Sequence, residues 1–260
     1  MKYVFQDLKK IKKKINKSNF VLLLDFDLTL SPLAKNPNHA FLPKSTKEKL
    51  KEIASYVPVV IITGRKLSDI KKKVNIKGMF YIGNHGLEHN LNKEEKTFIS
   101  VPIKKVLFEV RKELVKKCKT YSGIVFEDKK YAFAFGYRLA GKDKVKSLES
   151  IFRKTIKDIN HGGLLEARLE KKTFEIRPKI KVNKGTSCIL ALKFIQNKSG
   201  RKVVPIYIGD GQTDEDAFSI IQKSGITIRV GKNNKSSAKW YLRNQKEVDY
   251  FLEWLLSIVN

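Results

Sequence analysis

Apolar residues along this chain gather into short, nearly continuous runs set between amphipathic stretches. Val21 to Leu24, Val57 to Ile62, Met79 to Ile82, Val203 to Ile208 and Ile226 to Val230 read as strands buried on both faces of a parallel sheet. The stretches between them carry the helical period. Ser45 and Glu48 form a capping-box pattern that opens a helix with Leu50, Ile53 and Ala54 on one face. Further helices are predicted from about Leu67 to Val74, from Thr186 to Ile195 and from Lys246 to Ile258, with one more between Asp216 and Ile226. Ahead of the first strand, Val4, Leu8, Ile11 and Ile15 predict a basic helix over Tyr3 to Asn16. Pro32 to Pro43 reads as a loop with a turn at Asn36-Pro37-Asn38. Strand and helix alternate, which predicts an α/β, doubly wound parallel sheet.

The pattern changes near residue 101. Ile103 to Lys117 is helical, and Gly123 to Phe126 pairs with Tyr131 to Tyr137 as a hairpin across Asp128-Lys129-Lys130. A second helix, Asp143 to Ile159, precedes another strand pair, Leu164 to Leu169 and Thr173 to Ile176. Helix, two strands, helix, two strands is an α+β module. The expected organisation is therefore a core of residues 1–100 and 181–260 with an α+β domain, 101–180, inserted between its halves.

Composition narrows the setting. The 260 residues carry a formal charge of +28, but from 45 Lys against nine Arg. Planar recognition of phosphates and bases relies on Arg. The lysines, moreover, are spread over almost every predicted helix face. Nucleic acid is not the expected partner, although such a charge permits non-specific binding and draws in anionic substrates. Two cysteines, Cys118 and Cys188, make no disulfide framework and read as buried hydrophobes. Neither a signal-peptide pattern nor a long apolar span is found, so the expectation is a cytoplasmic protein with no membrane contact.

The candidate chemistry sits at strand ends. Asp25 and Asp27 directly follow the Val21 strand, at the carboxyl edge where open α/β sheets hold ligands. Crowded carboxylates need a cation or a shared proton, unless the two acids merely cap a helix. Thr63 ends the second strand, Lys184 heads a helix, and Asp210 follows another strand in the segment Gly209 to Asp216. Together these suit phosphoryl transfer to an aspartate. Asp25 attacks phosphorus, and Asp27 protonates the leaving oxygen and then takes a proton from water. The Thr63 hydroxyl and the amides of the turns hold the phosphoryl oxygens. At about 3.5 Å and an effective dielectric of ~20, one pair of like charges costs about 5 kcal/mol, roughly what Lys184 offsets. A dianionic ester beside Asp25 and Asp210 needs more, and Mg2+ suits all-oxygen ligation. Asp214 reads both as a first-turn acid and as a group orienting Lys184 or metal-bound water, while Glu215 and Asp216 read as structural.

Asp-x-Asp-x-Thr, the Thr63 strand end, Lys184 and Gly-Asp-x-x-x-Asp, in this order, resemble the haloacid-dehalogenase-type phosphatases. More narrowly, LDFDLTLSP with NP and AFLP behind it, IITGR, GNHGLE, FEIRP with Asn183-Lys184-Gly185, and GDGQTDEDAF resemble the trehalose-6-phosphate phosphatase family. The resemblance implies Asp25 as nucleophile, Asp27 as acid/base, phosphate contacts at Thr63 and Lys184, and magnesium at Asp25, Asp27 and Asp210. It implies a sugar-phosphate substrate and a mobile cap gripping the sugar through Glu127, Lys129, Arg138 and Glu175. A trehalose-phosphate synthase is a candidate partner. Three positions depart from the family pattern. Leu28 stands where Gly is usual, Gly211 replaces an Asp, and Gly136 replaces a His before Tyr137-Arg138. Gly136 keeps other sugar phosphates open as substrates, such as sucrose or glucosylglycerol phosphate. Leu28 and the charge keep open a catalytically silent nucleic-acid or regulatory binder. His85 reads as a turn residue or a substrate contact, and Arg177 as a hinge brace or a substrate contact.

Overall fold

The computed structural model describes residues 1–15, 19–34, 36–92, 95–128, 130–170 and 172–260. The chain forms two compact units, one of Met1–Lys96 with Val182–Asn260, the other of Thr97–Lys181.

In chain order the first unit contributes β1 (Lys2–Tyr3), α1 (Leu8–Lys12), β2 (Phe20–Leu24), α2 (Lys44–Tyr56), β3 (Val59–Ile62), α3 (Leu67–Val74), β4 (Phe80–Gly83) and β5 (Glu88–His89), and β6 (Lys96–Thr97) straddles the boundary. The second unit holds α4 (Val101–Cys118), β7 (Val125–Asp128), β8 (Phe133–Gly136), α5 (Lys142–Ile159), β9 (Leu165–Glu170) and β10 (Thr173–Pro178). The first unit then resumes with α6 (Lys184–Ser199), β11 (Val204–Gly209), α7 (Glu215–Ile221), β12 (Ile226–Val230), β13 (Trp240–Leu242) and α8 (Lys246–Val259).

The large sheet has the order β1-β13-β12-β11-β2-β3-β4-β5-β6. Pairing is parallel from β1 through β4, and β5 runs antiparallel to β4. Successive strand residues alternate between the two faces. Leu22, Leu24, Ile61 and Ile208 join the core under α2, α3 and α8, whereas Val21, Leu23, Val60 and Tyr207 join the core under α6 and α7. That double burial is why these strands are apolar throughout. After β2 the chain builds outward one way, through β3 and β4. After β11 it builds the other way, through β12 and β13. The switch point therefore lies between β2 and β11.

Two local expectations are corrected. Tyr3 to Asn16 is not one helix, and Asn16 itself lies outside the described residues. Lys2 and Tyr3 pair instead with Trp240 and Tyr241 as an edge strand, a short 3-10 turn follows, and α1 spans only five residues. The Asp7 carboxylate accepts a hydrogen bond from Trp240 Nε1 at 2.9 Å, which ties that turn to the sheet edge. Val4, Ile11 and Ile15 are still buried, so the apolar spacing marked burial correctly but not the backbone. The Ser45–Glu48 capping box does not form either: α2 begins at Lys44 behind Pro43, without a side-chain cap.

In the second unit the antiparallel order is β7-β8-β10-β9. One row across the sheet is Phe126, Phe135, Phe174 and Leu169, and Phe135 and Phe174 are fully buried against Phe152 of α5. The next row, on the opposite face, is Glu127, Ala134, Glu175 and Arg168.

Candidate active site

The site begins at the switch point. Leu24 stands opposite Ile208, and the Asp25 amide donates to the Ile208 carbonyl at 2.9 Å. Asp25 and Asp210 thus leave the sheet side by side. No helix starts after Asp27. The chain turns back, with Leu30 and Ser31 amides donating to the Phe26 carbonyl, which removes the helix-cap reading of the two acids. Leu28 sits in that turn at φ 57°, the left-handed region that suits Gly.

Lys184 is placed by a real capping box. The Asn183 side chain accepts from the Thr186 amide at 2.9 Å, and Thr186 Oγ1 accepts from the Asn183 amide at 2.9 Å. A Cβ on Gly185 would lie 2.6 Å from the Asp216 carbonyl oxygen, so the residue beside Lys184 must be Gly for α6 to approach α7. Lys184 is buried, and its Nζ lies 2.8 Å from Asp25 Oδ1 and 2.7 Å from Asp214 Oδ1. Asp214 is fully buried. Its Oδ1 also accepts from the Tyr207 hydroxyl at 2.6 Å, and its Oδ2 from the Gly211 amide at 2.8 Å. Gly209 leaves room for it, because a Cβ there would lie 2.4 Å from the Asp214 carboxyl carbon.

One lysine thus serves two buried carboxylates, with a third beside them. Burial disfavours charge on Lys184, but Asp25 and Asp214 together outweigh it and hold the ammonium firmly protonated. Asp25 is left short of positive charge. Burial pushes its carboxyl up to about 7, with Lys184 opposing and Asp214 adding to the rise. Asp210 is raised too, by burial and by Asp214, against Lys184, a hydrogen bond to Asp25 and Arg229. Oxygens of Asp25, Asp210 and Asp214 lie within 4.8 Å of one another. An all-oxygen donor set short of positive charge fits a hard divalent cation. Thr29 Oγ1 approaches Asp210 Oδ1 at 3.5 Å, at the limit of a hydrogen bond.

Asp27 faces a different partner. Arg65 Nε donates to its Oδ2 at 2.8 Å and Arg65 Nη2 to its Oδ1 at 2.6 Å. Arg65 Nη1 donates to Asp69 Oδ2 at 2.9 Å, and the guanidinium carbon lies 5.5 Å from the Phe26 ring centroid. Thr63 is buried, and its hydroxyl oxygen accepts from the Arg65 amide at 3.2 Å.

The GNHGLE segment braces this corner. The Asn84 amide donates to the Arg65 carbonyl at 2.7 Å and the His85 amide to the Thr63 carbonyl at 3.1 Å. The buried Glu88 carboxylate accepts from the Leu67 amide, at the start of α3. Glu215, read as structural, binds Arg229 and the Ser237 amide, each at 2.8 Å.

The first unit thus gathers Asp25, Lys184, Asp210 and Asp214 into one cluster, with Asp27 and Thr63 joined through Arg65. Arg65, Tyr207 and Arg229 had no assigned role in the sequence. Arg65 was visible only as part of IITGR, and Tyr207 looked like any core aromatic. In the second unit Glu127 and Glu175 share the sheet face turned away from the Phe135 row, and Arg138 is exposed in the turn after β8. Lys129 lies outside the described residues. Arg177 pairs with Glu166 on the neighbouring strand. Cys118 and Cys188 are both buried and unbridged.

The trehalose-phosphatase family profile matches residues 23–246. The chain belongs to the trehalose-phosphatase family. Trehalose-phosphate phosphatase B of Arabidopsis thaliana is 30% identical over 249 residues, covering 91% of this chain and 66% of that protein. A trehalose-phosphate phosphatase of Mycobacterium bovis is 31% identical over 216 residues, covering 80% of this chain and 53% of its own length. The chain therefore spans between half and two thirds of these relatives. This is a family of phosphoric monoester hydrolases. The fold agrees. The C-terminal domain of the Candida albicans trehalose-6-phosphate phosphatase superposes with a TM-score of 0.71 at 21% identity, over 97% of this chain and 96% of that one. A haloacid dehalogenase-like hydrolase from Bacteroides thetaiotaomicron superposes with a TM-score of 0.63 at 16% identity, over 91% and 99%. The fold is thus that of the haloacid-dehalogenase-like hydrolases. No helix among the described residues is long and apolar enough to cross a membrane.

Proposed function

We propose that this chain hydrolyses trehalose 6-phosphate to trehalose and phosphate, with magnesium, through an aspartyl phosphate on Asp25. The observation that carries the reading is the buried Asp25–Lys184–Asp214 cluster at the switch point, in a chain of this family. Asp25 attacks phosphorus while Asp27 gives its proton to the departing sugar oxygen. Asp27 then takes a proton from the water that opens the aspartyl phosphate, restoring Asp25. Lys184 and the Thr63 hydroxyl hold the phosphoryl oxygens. Asp214, with three donors on its two oxygens, keeps Lys184 in place. Magnesium would be held by Asp25, Asp210 and, since Arg65 occupies its carboxylate, the backbone carbonyl of Asp27. When bound it would neutralise the charge of phosphate and carboxylates.

The second unit is read as the cap, with Glu127, Lys129, Arg138 and Glu175 as sugar contacts. Carboxylates and cations suit hydroxyls that both donate and accept. The reading also includes a cytoplasmic setting, supported by the two unbridged cysteines, and a trehalose-phosphate synthase as partner. Phosphate release from trehalose 6-phosphate, beside sucrose 6-phosphate, glucose 6-phosphate and an aryl phosphate, with and without magnesium, tests it. Metal-dependent preference for trehalose 6-phosphate is expected. Turnover of the aryl ester alone would remove the substrate assignment. A second reading, the same chemistry on another sugar phosphate, is favoured by Gly136, where a Cβ would find its nearest neighbours only at 3.9 Å. That open spot is where family members carry His.

A further inference from the structure

We infer that Arg65 is a positioning residue for proton transfer: its guanidinium fork holds the Asp27 carboxylate by both oxygens and stabilises the negative charge that forms on Asp27 as its proton passes to the leaving oxygen. The inference rests on the phosphatase reading above.

Three observations carry it. The pair is bidentate, at 2.6 and 2.8 Å, the fork geometry that fixes a carboxylate in orientation as well as position. Arg65 is itself held from two further sides, by Asp69 at 2.9 Å and by the ring of the fully buried Phe26. And the burial is lopsided. The Arg65 side chain is 11% exposed and the Asp27 side chain 44%, so the cation is set in the wall while the carboxylate faces outward. Each Asp27 oxygen has two lone pairs and the fork uses one, leaving the outward pair to carry the proton in flight.

The balance is simple. In the first step the Asp25–phosphorus bond forms and the ester P–O bond breaks. The Asp27 proton goes to the ester oxygen, leaving a carboxylate against Arg65. In the second step water attacks phosphorus, its proton goes to Asp27, and the Asp25–phosphorus bond breaks. Arg65 meets a full ion pair only after the proton has left, so its attraction grows along the first step, which is where an interaction accelerates chemistry.

A residue that only braces the loop would slow all substrates alike. One that serves proton donation matters most where the leaving oxygen is basic. The test is kcat/KM, with magnesium present, for phosphate monoesters graded by leaving-group pKa, from activated aryl esters to alkyl and sugar esters. For Arg65→Ala the expected loss is on the order of 100-fold on the alkyl end and under about tenfold on the most activated aryl ester. Arg65→Lys, which keeps the charge but not the fork, should fall between the variant and the parent. Asp69→Asn, at a half-exposed helix position, should show the same selectivity with a loss of about two- to fivefold, and it serves if Arg65→Ala fails to melt cooperatively. An equal loss across the series, or no loss, overturns the inference while leaving the phosphatase reading intact. If the parent protein hydrolyses no monoester at all, the reading fails and the inference with it.

Discussion

The two units hold their polar groups in opposite ways. At the switch point of the large sheet, Asp25, Lys184 and Asp214 are buried, and each is fixed by partners between 2.6 and 2.8 Å. On the face of the small sheet opposite the Phe135 row, Glu127 and Arg168 are exposed and Glu175 is half-buried, with the small, buried Ala134 between Glu127 and Glu175. The buried cluster concentrates unbalanced negative charge where water cannot screen it, so it is pre-set for chemistry and costs the fold stability. The more exposed row of the small sheet costs less, because water screens its charges. Under the proposed function, reaction and sugar recognition would fall on two separate packing problems.

Asp25→Asn should cut the comparison most deeply. Turnover of every phosphate ester, aryl or sugar, is expected to fall by about 10^4-fold or more, because the proposed nucleophile is gone. Retained turnover would show that the switch-point cluster is not the reacting site. Alanine at Glu127 or Glu175 should act on one kind of substrate alone. With trehalose 6-phosphate, kcat/KM is expected to drop by roughly ten- to a hundredfold per lost charged hydrogen bond, and with an aryl phosphate to stay within about twofold. Equal losses on both would remove the proposed division between reaction and sugar recognition.

The charge imbalance has its own signature in stability. Without divalent cation, the Asp25 carboxyl titrates at about 7 in the fold, against about 3.9 when unfolded. Between those values the folded state holds a proton that the unfolded chain has lost. The Asp25 contribution to stability is therefore full below about pH 4, declines as pH rises, and levels off above about 7. The unfolding free energy from urea melts in EDTA should fall between pH 5 and pH 8, by on the order of 2 kcal/mol, and Asp25→Asn should flatten most of that slope. A midpoint that rises over this interval would contradict the imbalance. The smallest effect belongs to Leu28→Gly. Relief of a left-handed leucine, less the extra freedom that Gly gives the unfolded chain, should add about 0.5–1 kcal/mol, read as a rise in Tm. A fall would mean that the half-exposed leucine side chain contributes more than its backbone costs.

Much of this was legible in the order of residues. Apolar runs buried on both faces marked β2, β3, β4, β11 and β12, since a strand covered by helices on either side needs no polar alternation. Asp25, Asp27, Thr63, Lys184 and Asp210 stood out because strand ends are local features and acids directly after apolar runs are unusual. The remainder depended on partners far away in the chain. β1 and β13 are too short to announce themselves: β1 is a strand only because it lies beside β13, and β13 because it lies beside β12. The Ser45–Glu48 pattern promised a cap, but α2 already runs from Lys44 behind Pro43, so Ser45 lies inside the helix rather than ahead of it. Arg65 reaches back 38 residues to Asp27, and Tyr207 spends its hydroxyl on a carboxylate that a core tyrosine gives no hint of. Local pattern determined which segments are buried and where acids gather. Only the tertiary structure decided which charge faces which, because ion pairing depends on distances of a few ångströms that sequence separation does not encode.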